Sequence, residues 1–397
     1  MTRLYHALLI GQNERLMQGV PGLLARAGFT VDVLTCTVRF ESSHVRYLTK
    51  VASPDLVVPT ALTFDVNAYD LVVIGDDSTL REILDANVSD AVKLRLLPVR
   101  EVKNFTHIGR KVGLSDVLSD AGVPTPSYRV LRDGSDFDHW TVDLSEPAIL
   151  KIDQSGGGGG VFLLDPRRPD FAAYVDSLKQ KPLVYPLLAQ QLIEGELLDL
   201  SSFYQNGELI CTSYSITEAV ISNPFGPSSV RTYNQLSTVP GHVFDILRDL
   251  GLALGAHGFV NIACMRESRT GKYYIIEADM RPTVWVDFDR YIGDDHALPI
   301  ARYFNEGSAL GIPYPFNPDF PEQRRIPYVF RLTPWEILTN THKVWSFCDA
   351  YPRSQLIRYF GEYSSNKITR AMATHVKPRV RSSHWQAMRR VWHALKG

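Results

Sequence analysis

Apolar residues fall in short runs between turn residues, and the runs alternate with stretches of helical spacing. Ala7, Leu8, Leu9 and Ile10 form the first run, closed by Gly11, and read as a buried strand entering a turn. Over residues 14–27 the apolar positions Leu16, Val20, Leu23 and Leu24 recur at helical spacing, and Gly28 follows as a stop. Residues 30–34 and 70–74 read as further strands, the second ending at Gly75, Asp76 and Asp77. Strand and helix in alternation predict a small parallel α/β domain at the amino end.

The pattern changes at Lys111. Residues 114–121 read as a helix that stops at Gly122, Val123, Pro124, Thr125 and Pro126, a rigid turn. Two β-type segments, residues 148–152 and 161–164, then flank five consecutive glycines: Gly156, Gly157, Gly158, Gly159 and Gly160. A flexible linker joins polar edges, whereas this run is gripped between apolar strands, which predicts a hairpin with a glycine loop. Residues 187–193 and 200–204 read as strands, Asn206 and Gly207 as a hairpin turn, and residues 244–254 as a helix. Residues 260–265 and 273–278 pair around Thr270 and Gly271, and the proline-rich residues 311–327 read as a connector.

Composition narrows the class. The chain has 397 residues, 45% hydrophobic and 21% charged, with a formal net charge of -1. That is a soluble globular protein with a sizeable core, and it excludes a general binder of nucleic acid. Cys36, Cys211, Cys264 and Cys348 are scattered without Cys-x-x-Cys spacing, so a cytoplasmic location is the simplest expectation. The short run at residues 7–10 is a strand, not a signal peptide or a membrane span. The eleven histidines make no zinc-binding pattern.

Candidate chemistry centres on the glycine loop. Without a Cβ, its backbone N–H groups can surround phosphate oxygens, and Lys151, just before it on a strand, can meet the same phosphates. The spacing fits neither the P-loop nor the dinucleotide fingerprint. On the other side, residues 273–279 alternate, so Glu277 and Asp279 share a face with Cα atoms roughly 7 Å apart. Two such carboxylates repel unless a cation lies between them, and magnesium prefers hard oxygen ligands of this kind.

Four segments together resemble the ATP-grasp enzymes, in the family's order across residues 105–300. Lys111 with the turn at residues 121–126 resembles the first nucleotide lysine and its following turn. Lys151 with the five glycines resembles the lysine and glycine-loop segment. Gln190, Gln191, Leu192 and Ile193, before Glu194, Gly195 and Glu196, resemble the hinge that borders adenine. Glu277, Asp279, Arg281 and Pro282 resemble the metal and phosphate motif.

The resemblance implies an α/β (α+β) architecture: a Rossmann-like preATP-grasp domain over residues 1–105 and an ATP-grasp region over 106–310. Within the latter, the glycine-loop lobe covers about 125–190 and the metal-binding lobe about 191–310. A connector and a basic helical region cover 311–397. It further implies ATP as cofactor, with magnesium (or manganese) on Glu277 and Asp279. Lys111 and Lys151 would hold phosphates under the glycine loop, and Arg281 would contact the transferred phosphoryl group. Glu196 or Asp199 is left for the ribose, because Leu197 stands where the family often has an acid. Ala263 stands where the family commonly has Asp, Glu or Gln as a further metal ligand, so Asn261 or a water takes that place or a second magnesium is weakly held.

The implied activity is a ligase that makes an acyl phosphate and joins it to an amine, a thiol or another nucleophile, releasing ADP and phosphate. The partners are then a small-molecule carboxylate and nucleophile, with a homodimer left open. Ala263 motivates one alternative, a nucleotide-binding protein without turnover; a kinase of a small hydroxyl substrate is another. Residues 223–231 can be a lid over the site, with Arg231 reaching a phosphate or the acyl substrate, or an ordinary surface turn, which is the commoner case. The tail after Glu362 has eight basic residues and no acid, and Trp385, Met388, Trp392 and Leu395 share one helical face. Such a helix either docks on the protein or lies on an anionic membrane surface; docking is the commoner case.

Overall fold

The computed structural model describes residues 4–37, 40, 42–181, 183–220, 223–309 and 311–328. Residues 1–324 form one compact unit and residues 325–397 a second. The basic tail with Trp385, Met388, Trp392 and Leu395, and Cys348, lie outside the described residues.

The first sheet is parallel and runs β3–β2–β1–β4. Its strands are β1 (Tyr5–Gly11), β2 (Phe29–Thr35), β3 (Val45–Lys50) and β4 (Leu71–Ile74). The predicted helix over residues 14–27 is two short helices, Glu14–Met17 and Val20–Arg26. Pro21 in the first turn of the second has no N–H to bond back to the first, so the helix breaks there. At the carboxyl end of β4, Asp76 caps the helix Asp77–Asp85 by accepting from Thr79 N at 2.9 Å. The same carboxylate accepts from Asn13 N at 3.1 Å and so ties down the turn after β1.

The second sheet is antiparallel in the order β5–β8–β6–β7. It is built from β5 (Tyr128–Leu131), β6 (Ala148–Ile152), β7 (Val161–Leu164) and β8 (Leu187–Gln191). Strands β6 and β7 are the hairpin around the glycines. Leu131, Phe137, Trp140, Leu150, Leu164, Leu178 and Leu187 give this lobe its own core.

The largest sheet runs β14–β13–β9–β11–β12, with β10 paired to β9, and all these pairings are antiparallel. Its strands are β9 (Gly195–Gln205), β10 (Glu208–Thr212), β11 (Tyr214–Val220), β12 (Ser228–Asn234), β13 (Gly258–Glu267) and β14 (Tyr273–Asp279). Leu8, Ile10 and Ile74 of the first sheet share one apolar cluster with Leu198, Leu200, Val260 and Ile262 of the largest. The first and largest sheets are therefore one packed body, against which the glycine lobe stands with a separate core. The connector at residues 311–327 ends in a strand, Gln323–Pro327. It is also pinned to the body: Gln235 Nε2 donates to the carbonyls of Asn317 at 2.9 Å and Phe320 at 3.1 Å. Among the described residues no helix is long and apolar enough to cross a membrane.

Candidate functional site

Lys151 stands on β6, is 8% exposed, and donates from Nζ to the Ile276 carbonyl of β14 at 3.0 Å. This bond carries a side chain of the glycine lobe onto the strand that bears Glu277 and Asp279. Burial lowers the Lys151 ammonium to about 8; Glu277 opposes the shift and Lys111 adds to it. Lys111 opens the helix Lys111–Asp120, and its Nζ donates to the carbonyls of Ser155 and Asp153. The Asp153 side chain fixes that helix start by accepting from Val112 N at 2.8 Å. Neither lysine has a carboxylate within ion-pair distance among the described residues.

The glycine loop follows Ser155, whose carbonyl accepts from Lys111. Gly157 and Gly158 have φ of +62° and +75°, which a Cβ would strain. A Cβ on Gly158 would also overlap the Phe225 carbonyl, so the loop at residues 223–228 packs directly on the glycines. Gly156 and Gly159 have room around them.

Across from the loop, β13 and β14 set the acidic residues by register. Asn261 pairs with Asp279 and Ala263 with Glu277, so all four share one face. Asn261 Nδ2 donates to Asp279 Oδ2 at 3.3 Å. Its Oδ1 is buried with no hydrogen-bond partner among the described residues. Among those residues no group of three or more His, Cys, Asp or Glu is placed to hold a metal. The donor set is two carboxylates plus one orphaned amide oxygen, all hard oxygens, and it fits magnesium. Burial pushes the Asp279 carboxyl up; Arg281 opposes the shift, and Glu277 and Asp77 add to it.

Arg281 follows directly. Its Nη2 donates to Asp279 Oδ2 at 2.8 Å and its Nε to Asp77 Oδ2 at 2.8 Å. Asp77, at the carboxyl end of β4, was visible in the sequence only as part of a strand-end acidic pair. Arg281 stays fully charged, its pKa raised by Asp279 and Asp77 against the cost of burial.

At the hinge, Gln190 is buried and donates from Nε2 to Ser115 Oγ at 3.3 Å, while Gln191 is exposed and accepts from Ser127 Oγ at 3.1 Å. Ile193 is buried and Leu192 partly so. Glu196 is half-exposed and paired with Arg266 at the start of β9. Asp199 is buried, with Oδ1 on Arg231 at 3.1 Å and Oδ2 accepting from Thr217 Oγ1. Both Asp199 oxygens are thus committed within the sheet, and Glu196, three residues earlier on β9 and paired with Arg266, lies on its other face.

Solved structures share this fold at low identity. One is an ADP complex of N5-carboxyaminoimidazole ribonucleotide synthetase, 17% identical, with a TM-score of 0.52 over 71% of this chain and 72% of that one. A second is an L-amino acid ligase from Bacillus licheniformis, 16% identical, with a TM-score of 0.53 over 76% and 74%. A third is the biotin carboxylase domain of the Hydrogenobacter thermophilus 2-oxoglutarate carboxylase with MgADP, ADP and bicarbonate. It is 15% identical, with a TM-score of 0.56 over 85% of this chain and 77% of that one. No protein-family model matches the sequence, and no curated protein matches it. The neighbours are ATP-grasp enzymes, and this chain has the ATP-grasp fold.

Proposed function

We propose that this protein is an ATP-dependent ligase, which activates a carboxylate as an acyl phosphate and joins it to an amine or another nucleophile. One observation carries the reading. Lys151 on β6 and Lys111 at the start of its helix, neither with a carboxylate at ion-pair distance among the described residues, stand beside a glycine loop; Glu277, Asp279, Asn261 and Arg281 belong to the largest sheet, and Lys151 already bridges to it. Two of the structural neighbours hold ADP or MgADP, which supports a nucleotide between the same elements.

Lys111, Lys151 and the loop amides receive phosphate oxygens, and the backbone of Gln190, Gln191, Leu192 and Ile193 borders the adenine. Glu277, Asp279 and Asn261 Oδ1 would hold magnesium, which when bound neutralises charge on the phosphates. Asn261 thereby supplies the oxygen that Ala263 lacks. The substrate carboxylate attacks the γ-phosphorus and ADP leaves; the nucleophile then displaces phosphate through a tetrahedral intermediate. Arg281, held from both sides by Asp77 and Asp279, steadies charge on the transferred phosphoryl group, so catalysis is positioning and electrostatics with no side-chain nucleophile.

Ala263 directly opposite Glu277 favours a second reading, a nucleotide-binding protein without turnover. ADP release measured across amino acids and small carboxylates, with and without amines, separates the two. Acid-dependent release with a condensed product supports the ligase. Tight nucleotide binding with no stimulated release supports the second reading, and a stable phosphorylated product without condensation points to a kinase.

A further inference from the structure

Arg281 is held by two elements that the sequence keeps far apart. Its Nη2 donates to Asp279 Oδ2 and its Nε to Asp77 Oδ2, both at 2.8 Å, and its Nη1 donates to the Pro282 carbonyl at 3.2 Å. The two carboxylates differ in what else they serve. Asp279 belongs to the proposed magnesium set, and its Oδ2 also accepts from Asn261 Nδ2 at 3.3 Å. Asp77 belongs to the first turn of the helix Asp77–Asp85 in the amino domain, not to the acidic strand.

Magnesium changes the balance between them. A divalent cation on Glu277 and Asp279 repels the guanidinium and competes with it for the Asp279 carboxylate. Asp77 is then the anion that offsets the repulsion and keeps Nε in place. With that edge fixed, Nη2 can turn from Asp279 to the phosphoryl group as its charge develops. A long side chain without the anchor regains its rotamer freedom and is driven from the metal.

Asp77 is itself firmly placed. Asp76, immediately before it, caps the helix by accepting from Thr79 N and ties down the turn after β1 through Asn13 N. Arg81, one turn further on, donates from Nε to the Asp77 carbonyl at 3.3 Å and from Nη1 to the Gln154 carbonyl at 3.4 Å. Gln154 directly precedes Ser155 and the glycines, so the Asp77 backbone and the base of the glycine loop share one arginine. The Asp77 side chain is 34% exposed, so exchanging it opens no core.

We propose that Asp77 is a positioning residue, which keeps Arg281 aimed at the transferred phosphoryl group when magnesium sits on Glu277 and Asp279. The proposal rests on the ligase reading and gives the amino domain a task within it. The test is calorimetry with ADP at millimolar magnesium, with and without fluoroaluminate, a mimic of the phosphoryl group in transfer. The parent binds ADP at least about a hundredfold tighter when fluoroaluminate is present. Asp77→Asn keeps the shape and loses the charge; it lowers that gain about tenfold or more and leaves the affinity for ADP alone within about twofold. Asp77→Glu, which keeps a carboxylate, restores part of the gain. A merely structural role for Asp77 would weaken both titrations alike. A gain in Asp77→Asn equal to the parent's, equal weakening of both titrations, or no gain in the parent overturns the proposal and leaves the nucleotide site standing. A parent that does not bind ADP sinks the ligase reading and this proposal with it.

Discussion

The cations of the two facing sheets are held in opposite ways. Lys111 and Lys151, at the glycine lobe, donate to the backbone carbonyls of Ser155, Asp153 and Ile276. Arg281 and Arg231, at the largest sheet, are clamped by the carboxylates of Asp77, Asp279 and Asp199. A carbonyl satisfies a donor without cancelling its charge, whereas a carboxylate does both. The lysine side therefore keeps net positive charge for a polyanion, at the cost of a depressed Lys151 pKa. The arginine side gives up net charge and gains fixed geometry. On the proposed reading, one side collects phosphate and the other aims the transfer.

The largest effect is expected on the aiming side. Glu277→Gln should lower magnesium-dependent turnover by about a thousandfold while changing nucleotide affinity less than about tenfold; a variant with parental turnover would break the comparison at once. Next comes the collecting side. Lys151→Ala should weaken binding of an ATP analogue about a hundredfold by calorimetry, since it removes a charged donor to phosphate.

The pH dependence sharpens the same point. Lys151 is protonated below about 8 in the nucleotide-free protein, and the anionic ligand prefers that form. Affinity should be level below that pH and fall as pH rises through it, by up to about tenfold per unit. Lys151→Arg should remove the fall, because arginine does not titrate there. The smallest effect separates two glycines. Gly158→Ala, strained and overlapping the Phe225 carbonyl, should cost about tenfold in analogue affinity, whereas Gly156→Ala, with open space around it, should change little.

What could be read from the sequence follows from how local each signal is. The glycine hairpin and the shared face of Glu277 and Asp279 are legible because apolar flanks and two-residue alternation are properties of adjacent residues. Strand β3 is not, since its residues are mostly exposed and its parallel pairing to β2 leaves no periodic trace. Asp77 meets Arg281 across 204 positions, and no local pattern encodes that. Asn261 reaches Asp279 only through the β13–β14 register, which shifts between Ala263 and Cys264. The bonds of Asp199 to Arg231 and Thr217 likewise join strands that the sequence keeps apart.

Titration of the unmodified protein with ADP at millimolar magnesium tests most directly whether the opposed charges enclose a nucleotide. Saturable heat with a dissociation constant on the order of micromolar to sub-millimolar is expected, together with weaker binding when magnesium is chelated. No heat at millimolar ADP would contradict it.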